Sequence, residues 1–128
     1  MILYHGESLE GKKLIVVYAH VGKFNVKEND YVKRGQVIAK LPEKVEFMCM
    51  ARVRHLHLQI GQKYCHKEEK DNWGCKYFIK DFYNSLNPHT LWADGANKVS
   101  CFNENRKYIN GTLTYPFKCK KINKNLSN

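Results

Sequence analysis

Two histidines separated by one residue are the side chains best placed to do chemistry. His55 and His57 lie in residues 53–60, where polar and apolar side chains alternate. Alternation predicts a β-strand that presents both imidazoles on one face, with their Cα atoms about 7 Å apart. The opposite face would carry Leu56, Leu58 and Ile60. Neutral imidazole binds zinc and also titrates near physiological pH. The pair therefore suits a metal ligand and a general base, and a simple solvated sheet face is the alternative.

A third histidine ends another predicted strand. Residues 14–20 are β-branched and aromatic and too short for a helix, which favours a largely buried strand. Alternation along it places His20 on the face of Val16 and Tyr18. If the two strands converge, three imidazoles meet. The alternative for a lone histidine at a strand end is a hydrogen-bonded polar residue without a catalytic role.

The remaining histidines and the cysteines give weaker signals. Cys65, His66 and Cys75 fit no standard zinc motif, so a disulfide or free thiols is the better interpretation. His5 and His89 are expected at the surface. Five cysteines are compatible both with disulfides in an oxidising compartment and with reduced thiols in a cytosol.

The elements around these histidines predict a mostly β protein. Residues 3–5 are expected to pair with residues 14–20 in a hairpin, and residues 24–26 and 37–41 are expected to form further short strands. A short helix is predicted near residues 77–86, because apolar side chains recur there at helical spacing before Asn87-Pro88. The expected total is six to eight short antiparallel strands and one helix.

Charge divides the chain near residue 95. The protein has 128 residues and a formal net charge of +10, and residues 96–128 hold seven basic side chains and one acid, Glu104. We therefore predict one domain over residues 1–95 and a basic C-terminal extension over residues 96–128, with a small hairpin and a frayed tail. A solvated tail is favoured over specific nucleic-acid binding, since basic and aromatic residues do not interleave as in known modules. No apolar run is long enough to cross a membrane, and no secretory signal is visible.

Three segments resemble the lysostaphin/LytM-type zinc metalloendopeptidases, which cut peptide cross-links of bacterial peptidoglycan. Residues 17–21 contain a Tyr-x-His motif, residues 26–38 contain a Gly-Gln turn, and residues 55–60 contain His-x-His followed by apolar residues. Their order and spacing match the family. Asn87-Pro88 resembles the Asn-Pro that often follows the last core strand. The similarity is clear over residues 2–60 and weak to residue 92.

The resemblance implies a fold, a cofactor and a role for each histidine. The fold would be part of a barrel-sandwich hybrid, and the location periplasmic or extracellular. His57 matches the zinc ligand of the His-x-His motif, and His55 matches the general base. His20 matches the histidine that hydrogen-bonds the carbonyl of the scissile peptide. The implied substrate is a peptidoglycan peptide.

The chain departs from the family in its metal ligands. The family takes two further ligands from an upstream His-x-x-x-Asp segment, and no histidine here is followed by Asp four residues later. A catalytic zinc normally has three protein ligands. We therefore expect the C-terminal part of such a domain, with little activity unless an upstream segment or partner chain supplies the ligands. The alternatives are a non-catalytic member that binds the cell wall or regulates other wall hydrolases and, less favoured, a biotinyl/lipoyl-like carrier.

Overall fold

The β-strands that the structure describes form one antiparallel sheet. The computed structural model describes residues 1–7, 11, 13–45, 53–62 and 85–120. Within these residues the strands are β1 (Ile2–Glu7), β2 (Lys13–Ala19), β3 (His57–Gly61) and β4 (Ser85–Leu86), in the spatial order β1-β2-β3-β4. A single 3₁₀ turn, Pro88–Thr90, follows β4. The prediction of a mostly β, antiparallel protein is confirmed.

β1 and β2 form the predicted hairpin. Ile2 pairs with Val17 and Tyr4 pairs with Ile15, and the register shifts between Tyr4 and Glu7. Gly6 lies in that shift with a φ of 80°, a backbone conformation that glycine adopts without steric cost. The hairpin therefore brings β1 to one edge of the sheet.

The pairing of β2 with β3 decides which side chains share a face. Val16 lies opposite Ile60 and Ala19 lies opposite His57. Directly opposed residues of an antiparallel pair project to the same side of the sheet. One side therefore carries Val16 and Ile60, which are fully buried, and the other carries Ala19 and the exposed His57.

The buried side of the sheet packs against residues that follow β4. Its core consists of five side chains: Leu14, Val16, Ile60, Trp92 and Leu113. The backbone N–H of Leu113 donates to the carbonyl of Leu91 at 2.7 Å, and the N–H of Ala93 donates to the carbonyl of Leu113 at 2.9 Å. These bonds join residues on either side of the domain boundary predicted near residue 95. The boundary itself stays a prediction.

The predicted helix differs from what the structure describes. Residues 77–84 lie outside the described residues, but Ser85–Leu86 forms β4 instead of a helix end, with Leu86 opposite Ile60. Leu86 packs against the buried core from this position. Pairing and packing of Leu86 therefore decide the structure at the end of the predicted segment, and a helix over residues 77–84 stays a prediction.

Two further predicted strands, residues 24–26 and 37–41, are described by the structure but do not form strands. Residues 24–26 and 37–41 make one isolated bridge, between Phe24 and Ala39, and no continuous ladder. Between these two segments the chain turns at Asn29-Asp30, where the Asp30 carboxylate accepts a hydrogen bond from the N–H of Lys27 at 2.8 Å. The described part of the chain thus holds four strands. Three backbone hydrogen bonds, donated by Gly22, Asn25 and Lys40, also join residues 22–25 to residues 38–40 without forming a regular ladder.

A disulfide closes a loop in the basic extension. The hairpin expected there would pair residues 99–102 with residues 112–117, and the N–H of Tyr115 donates to the carbonyl of Ser100 at 2.7 Å. No strand ladder joins these segments among the described residues, and the hairpin stays a prediction. Cys101 is bonded to Cys119, closing 18 residues. The side chain of Ser100, which is fully buried, accepts from the N–H of Asp94 and donates to the carbonyl of Lys98.

We predict that Cys101→Ser lowers the free energy of unfolding by about 3 kcal/mol, the loop-entropy value for a closed loop of this length. Urea denaturation under non-reducing conditions measures the change. Cys119→Ser and the double variant should give the same loss, since each breaks the same bond. An unchanged denaturation midpoint after wild-type protein is treated with reductant would contradict the assignment.

Candidate active site

His57 is held by the first paired position of β3. Its backbone lies opposite Ala19, and its side chain is exposed on the face away from the core. Leu58 and Ile60, its neighbours on the other face, pack into the core. The alternation that the sequence predicted is therefore confirmed for residues 57–60, and burial of the apolar face fixes the direction of the imidazole.

His55 lies before the paired part of the strand. The predicted strand over residues 53–60 is correct only from His57 onward, since residues 53–56 have no ladder partner. The His55 side chain is fixed locally instead, by a hydrogen bond of 3.0 Å between Nδ1 and the carbonyl of Val53. A carbonyl only accepts, so Nδ1 carries the proton and the neutral ring keeps its lone pair on Nε2.

His20 reaches this face through an unusual backbone conformation. β2 ends at Ala19, and His20 has a φ of 60° in the left-handed region. Strict alternation would have placed His20 beside Val16 and Tyr18, as the sequence predicted, and this expectation was wrong. The chain turns here because the following residues pair elsewhere: the N–H of Gly22 donates to the carbonyl of Lys40 at 2.8 Å. Reversal of φ swings the side chain to the other side of the strand.

The three imidazoles form one cluster. The ring centroids of His20 and His55 are 4.8 Å apart, in an edge-to-face arrangement, and those of His20 and His57 are 6.0 Å apart. Two chain segments far apart in sequence therefore present three neighbouring imidazoles on the face of the sheet opposite the core. We expected three imidazoles to meet if the two predicted strands converged, and the ring distances show this arrangement.

The cluster favours an uncharged His20. Its pKa is lowered from the ordinary imidazole value, first by burial and then by the like charges that His55 and His57 carry when protonated. At neutral pH the His20 ring is therefore neutral, with one N–H to donate and one lone pair to accept. Such a ring can donate a hydrogen bond to a carbonyl oxygen without carrying a charge.

The described residues do not by themselves make a metal site. No group of three or more His, Cys, Asp or Glu side chains among them is arranged to hold a metal ion. A catalytic zinc site needs three protein ligands. The three imidazoles thus lie close together without converging on one ligand position, and the donor set in this part of the chain does not fit zinc.

The other candidates of the sequence lie elsewhere. Cys65, His66 and Cys75 are outside the described residues. His89 is exposed and accepts a hydrogen bond from Trp92 Nε1 at 3.1 Å, which is a structural contact. His5 is exposed, as predicted, and its Nε2 lies 3.1 Å from the hydroxyl of Tyr18. Sequence reasoning missed the Val53 carbonyl, because a backbone partner leaves no signal in a side-chain pattern.

A match to a known protein family is consistent with the geometry of the three histidines. A sequence model described as Peptidase family M23 matches residues 2–70, a segment that contains β1, β2, β3 and all three clustered histidines. The chain is thus a member of a metalloendopeptidase family. It belongs to Peptidase family M23, the family of the lysostaphin/LytM-type enzymes, over part of its length. Searches of curated proteins and of solved structures gave no significant match.

We predict that His20→Gly is more stable than His20→Ala by about 1 kcal/mol. In the left-handed conformation the Cβ atom of alanine lies too close to the backbone, and glycine has no Cβ atom. Chemical denaturation of the two variants measures the difference. The same pair of substitutions at His57, which lies within a regular strand, should show the opposite order. Equal stabilities at position 20 would contradict the assigned backbone.

We also predict a pH dependence from the cluster. Because the folded-state pKa of His20 is lowered, its contribution to stability is present above the unfolded value of about 6.5 and is lost as pH falls through that value and below. Histidine titration by NMR should place His20 below that value, and His55→Gln should raise the pKa of His20 partly toward it. A His20 pKa at or above the ordinary value would contradict the cluster.

Proposed function

We propose that this chain carries the histidine half of the active site of a zinc metalloendopeptidase that hydrolyses peptide cross-links in peptidoglycan. The observation that supports the proposal most is the meeting of His20, His55 and His57 on one face of the sheet. Family membership supports the reaction class. Two segments separated by more than thirty residues bring the imidazoles together, and the buried face of β3 anchors them.

Each histidine has a proposed role in this site. His55 acts as the general base, since its Nδ1 is bonded to the Val53 carbonyl and its Nε2 lone pair can take a proton from an attacking water. His20 donates a hydrogen bond to the carbonyl of the scissile peptide, where negative charge develops. His57, exposed at the start of β3, is the one family metal ligand with a counterpart in this sequence.

The zinc site is completed, in this proposal, by an upstream segment of the His-x-x-x-Asp type or by a partner chain. One imidazole does not hold zinc tightly, and the described residues offer no three-ligand group. The sequence itself contains no histidine followed by Asp four residues later. The 128-residue chain alone should therefore be weakly active or inactive.

We place the protein outside the cytoplasm, in the periplasm or the extracellular space. The Cys101–Cys119 disulfide supports this location, since disulfides persist in oxidising compartments. Among the described residues there is no helix of the length and apolarity that crossing a membrane requires. The proposed partner is a peptidoglycan peptide.

A second candidate is a non-catalytic family member that binds the cell wall or regulates other wall hydrolases. The missing three-ligand group among the described residues is the observation that favours it. The conjunction of His20, His55 and His57 favours the enzyme instead, because a binding module has no physical need for three adjacent imidazoles with fixed orientations.

We predict that zinc titration of the full chain shows a dissociation constant weaker than micromolar and that the chain does not cleave a peptidoglycan cross-link peptide. Fusion of a family-type His-x-x-x-Asp segment before residue 1 should give one tight zinc site and measurable cleavage. In that fusion His57→Ala should abolish tight zinc binding, and His55→Ala should keep zinc but reduce cleavage at least about 100-fold.

The matched control is His5→Gln in the same fusion, because His5 lies away from the cluster and should leave both readouts unchanged. Sub-micromolar zinc binding by the unfused chain would contradict the claim that this chain alone lacks a complete set of zinc ligands. A fusion that binds zinc and stays inactive, while the unfused chain binds peptidoglycan, would establish the non-catalytic alternative.

A further inference from the structure

A cleft with no assigned role opens on the core side of the sheet. Its volume is about 1180 Å³, and its lining comes from β1, β2, residues 32–41 and residues 110–120, with none of the three clustered histidines. Pockets for small molecules usually measure about 300–1,000 Å³. The size and the open form of this cleft suit a segment of a polymer better than a single small ligand.

The walls of the cleft combine an aliphatic floor with a cationic rim. The half-buried Leu3 and Leu58 contribute to the floor. Six basic side chains contribute to the rim: Lys33, Arg34, Lys40, Arg54, Lys118 and Lys120. No Asp or Glu lines the cleft among the residues that the structure describes. An occupant that matches these walls carries both negative charge and apolar side chains.

Arg34 shows that the positive charge is built in. Its guanidinium donates to the carbonyl of Thr112 at 2.8 Å and lies 4.7 Å from the centroid of the Tyr108 ring. The guanidinium of Arg106 also lies close to this ring, 4.9 Å from its centroid, but it pairs with the carboxylate of Asp94. Within the described ranges Arg34 has no carboxylate partner of this kind. Its orientation is therefore fixed by neutral groups, and its charge remains available to a ligand.

The neighbouring polar groups add no negative charge. Burial raises the pKa of Tyr18 to about 12, although the nearby Arg34 opposes this shift. The Tyr18 hydroxyl is therefore neutral at physiological pH and hydrogen-bonds with His5. Although the His5 side chain is exposed, the surrounding protein atoms displace part of its hydration, and this desolvation, with Arg34 as the second cause, lowers the pKa of His5. The cleft thus keeps its net positive character through the physiological pH range.

The cleft also reaches the edge of the sheet. Leu3 and Tyr4 are consecutive residues of β1 and project to opposite faces, yet both line it. In the described sheet β1 pairs with β2 alone, so its outer edge presents backbone N–H and C=O groups with no strand partner there. Such an edge is a template for an added extended chain.

We propose that this cleft is a second binding site, which takes an acidic peptide in extended conformation as an added strand beside β1. Alternate side chains of the peptide cover the floor to which Leu3 and Leu58 contribute, and its carboxylates meet the cationic rim. A phosphate polymer would use the rim but neither the floor nor the strand edge. None of His20, His55 and His57 lines this site, so its test does not depend on the function proposed above.

Fluorescence anisotropy with the full chain tests the proposal. The probe is a labelled peptide of about ten residues in which Glu and Val alternate, and saturable binding that weakens several-fold in about 0.5 M salt is expected. A Lys/Val peptide, a Glu-only peptide and an N-methylated Glu/Val peptide should each bind at least about tenfold more weakly, because they lack the charge, the apolar side chains and the backbone donors respectively.

Charge reversal at the rim identifies the site. Lys40→Glu and Lys118→Glu should each weaken binding of the Glu/Val probe about five- to tenfold. Lys27→Glu, an exposed lysine outside the cleft, is the matched control and should change it less than twofold. Circular dichroism confirms that the variants remain folded.

Four results would overturn the proposal: no saturable binding, equal binding of the Lys/Val peptide, equal binding of the N-methylated peptide, or equal effects of Lys40→Glu and Lys27→Glu. Preferential binding to phosphatidylglycerol vesicles, lost in Lys40→Glu, would overturn it in favour of a lipid phosphate. None of these readouts depends on zinc or on peptidase activity.

Discussion

The register between β2 and β3 is the constraint on which the rest of the structure depends. It sets Val16 against Ile60 and, three positions along, Ala19 against His57. The first pair is fully buried, and a shift of β3 by one residue would move Ile60 to the solvent face and turn His57 toward the core. The hydrophobic effect that forms the core therefore also fixes the face on which the imidazole projects.

His20 joins this face only because the backbone leaves the strand in a conformation that costs about 1–2 kcal/mol for a residue with a Cβ atom. Sites of this kind are retained where the surrounding structure over-determines them. Here the pairing of Gly22 with Lys40 holds the turn from the far side. The resulting 4.8 Å separation of the His20 and His55 rings combines a regular strand register with one irregular residue.

The regular parts of this arrangement could be predicted from sequence and the irregular parts could not. Alternation at residues 57–60 and the β-branched run at residues 14–17 correctly assigned the two central strands and the exposed His57. The same rule failed at His20, since a single φ reverses the direction of a side chain without changing the pattern of residue types. Helical spacing predicted the end of a helix at Leu86, and pairing with Ile60 places this residue in a strand instead. The basic cleft left no local signal, because its lysines and arginines come from separate segments.

The two faces of the sheet thus carry different chemistry: imidazoles on one, and a core continued by a cationic cleft on the other. The proposed active site depends on the convergence of His20 with His55 and His57. The most direct measurement is a nuclear Overhauser spectrum of the histidine ring protons in the full chain at neutral pH. Cross-peaks between the rings of His20 and His55, with none between His20 and His5, are expected. Their absence, with His20 close to Val16 instead, would contradict the account.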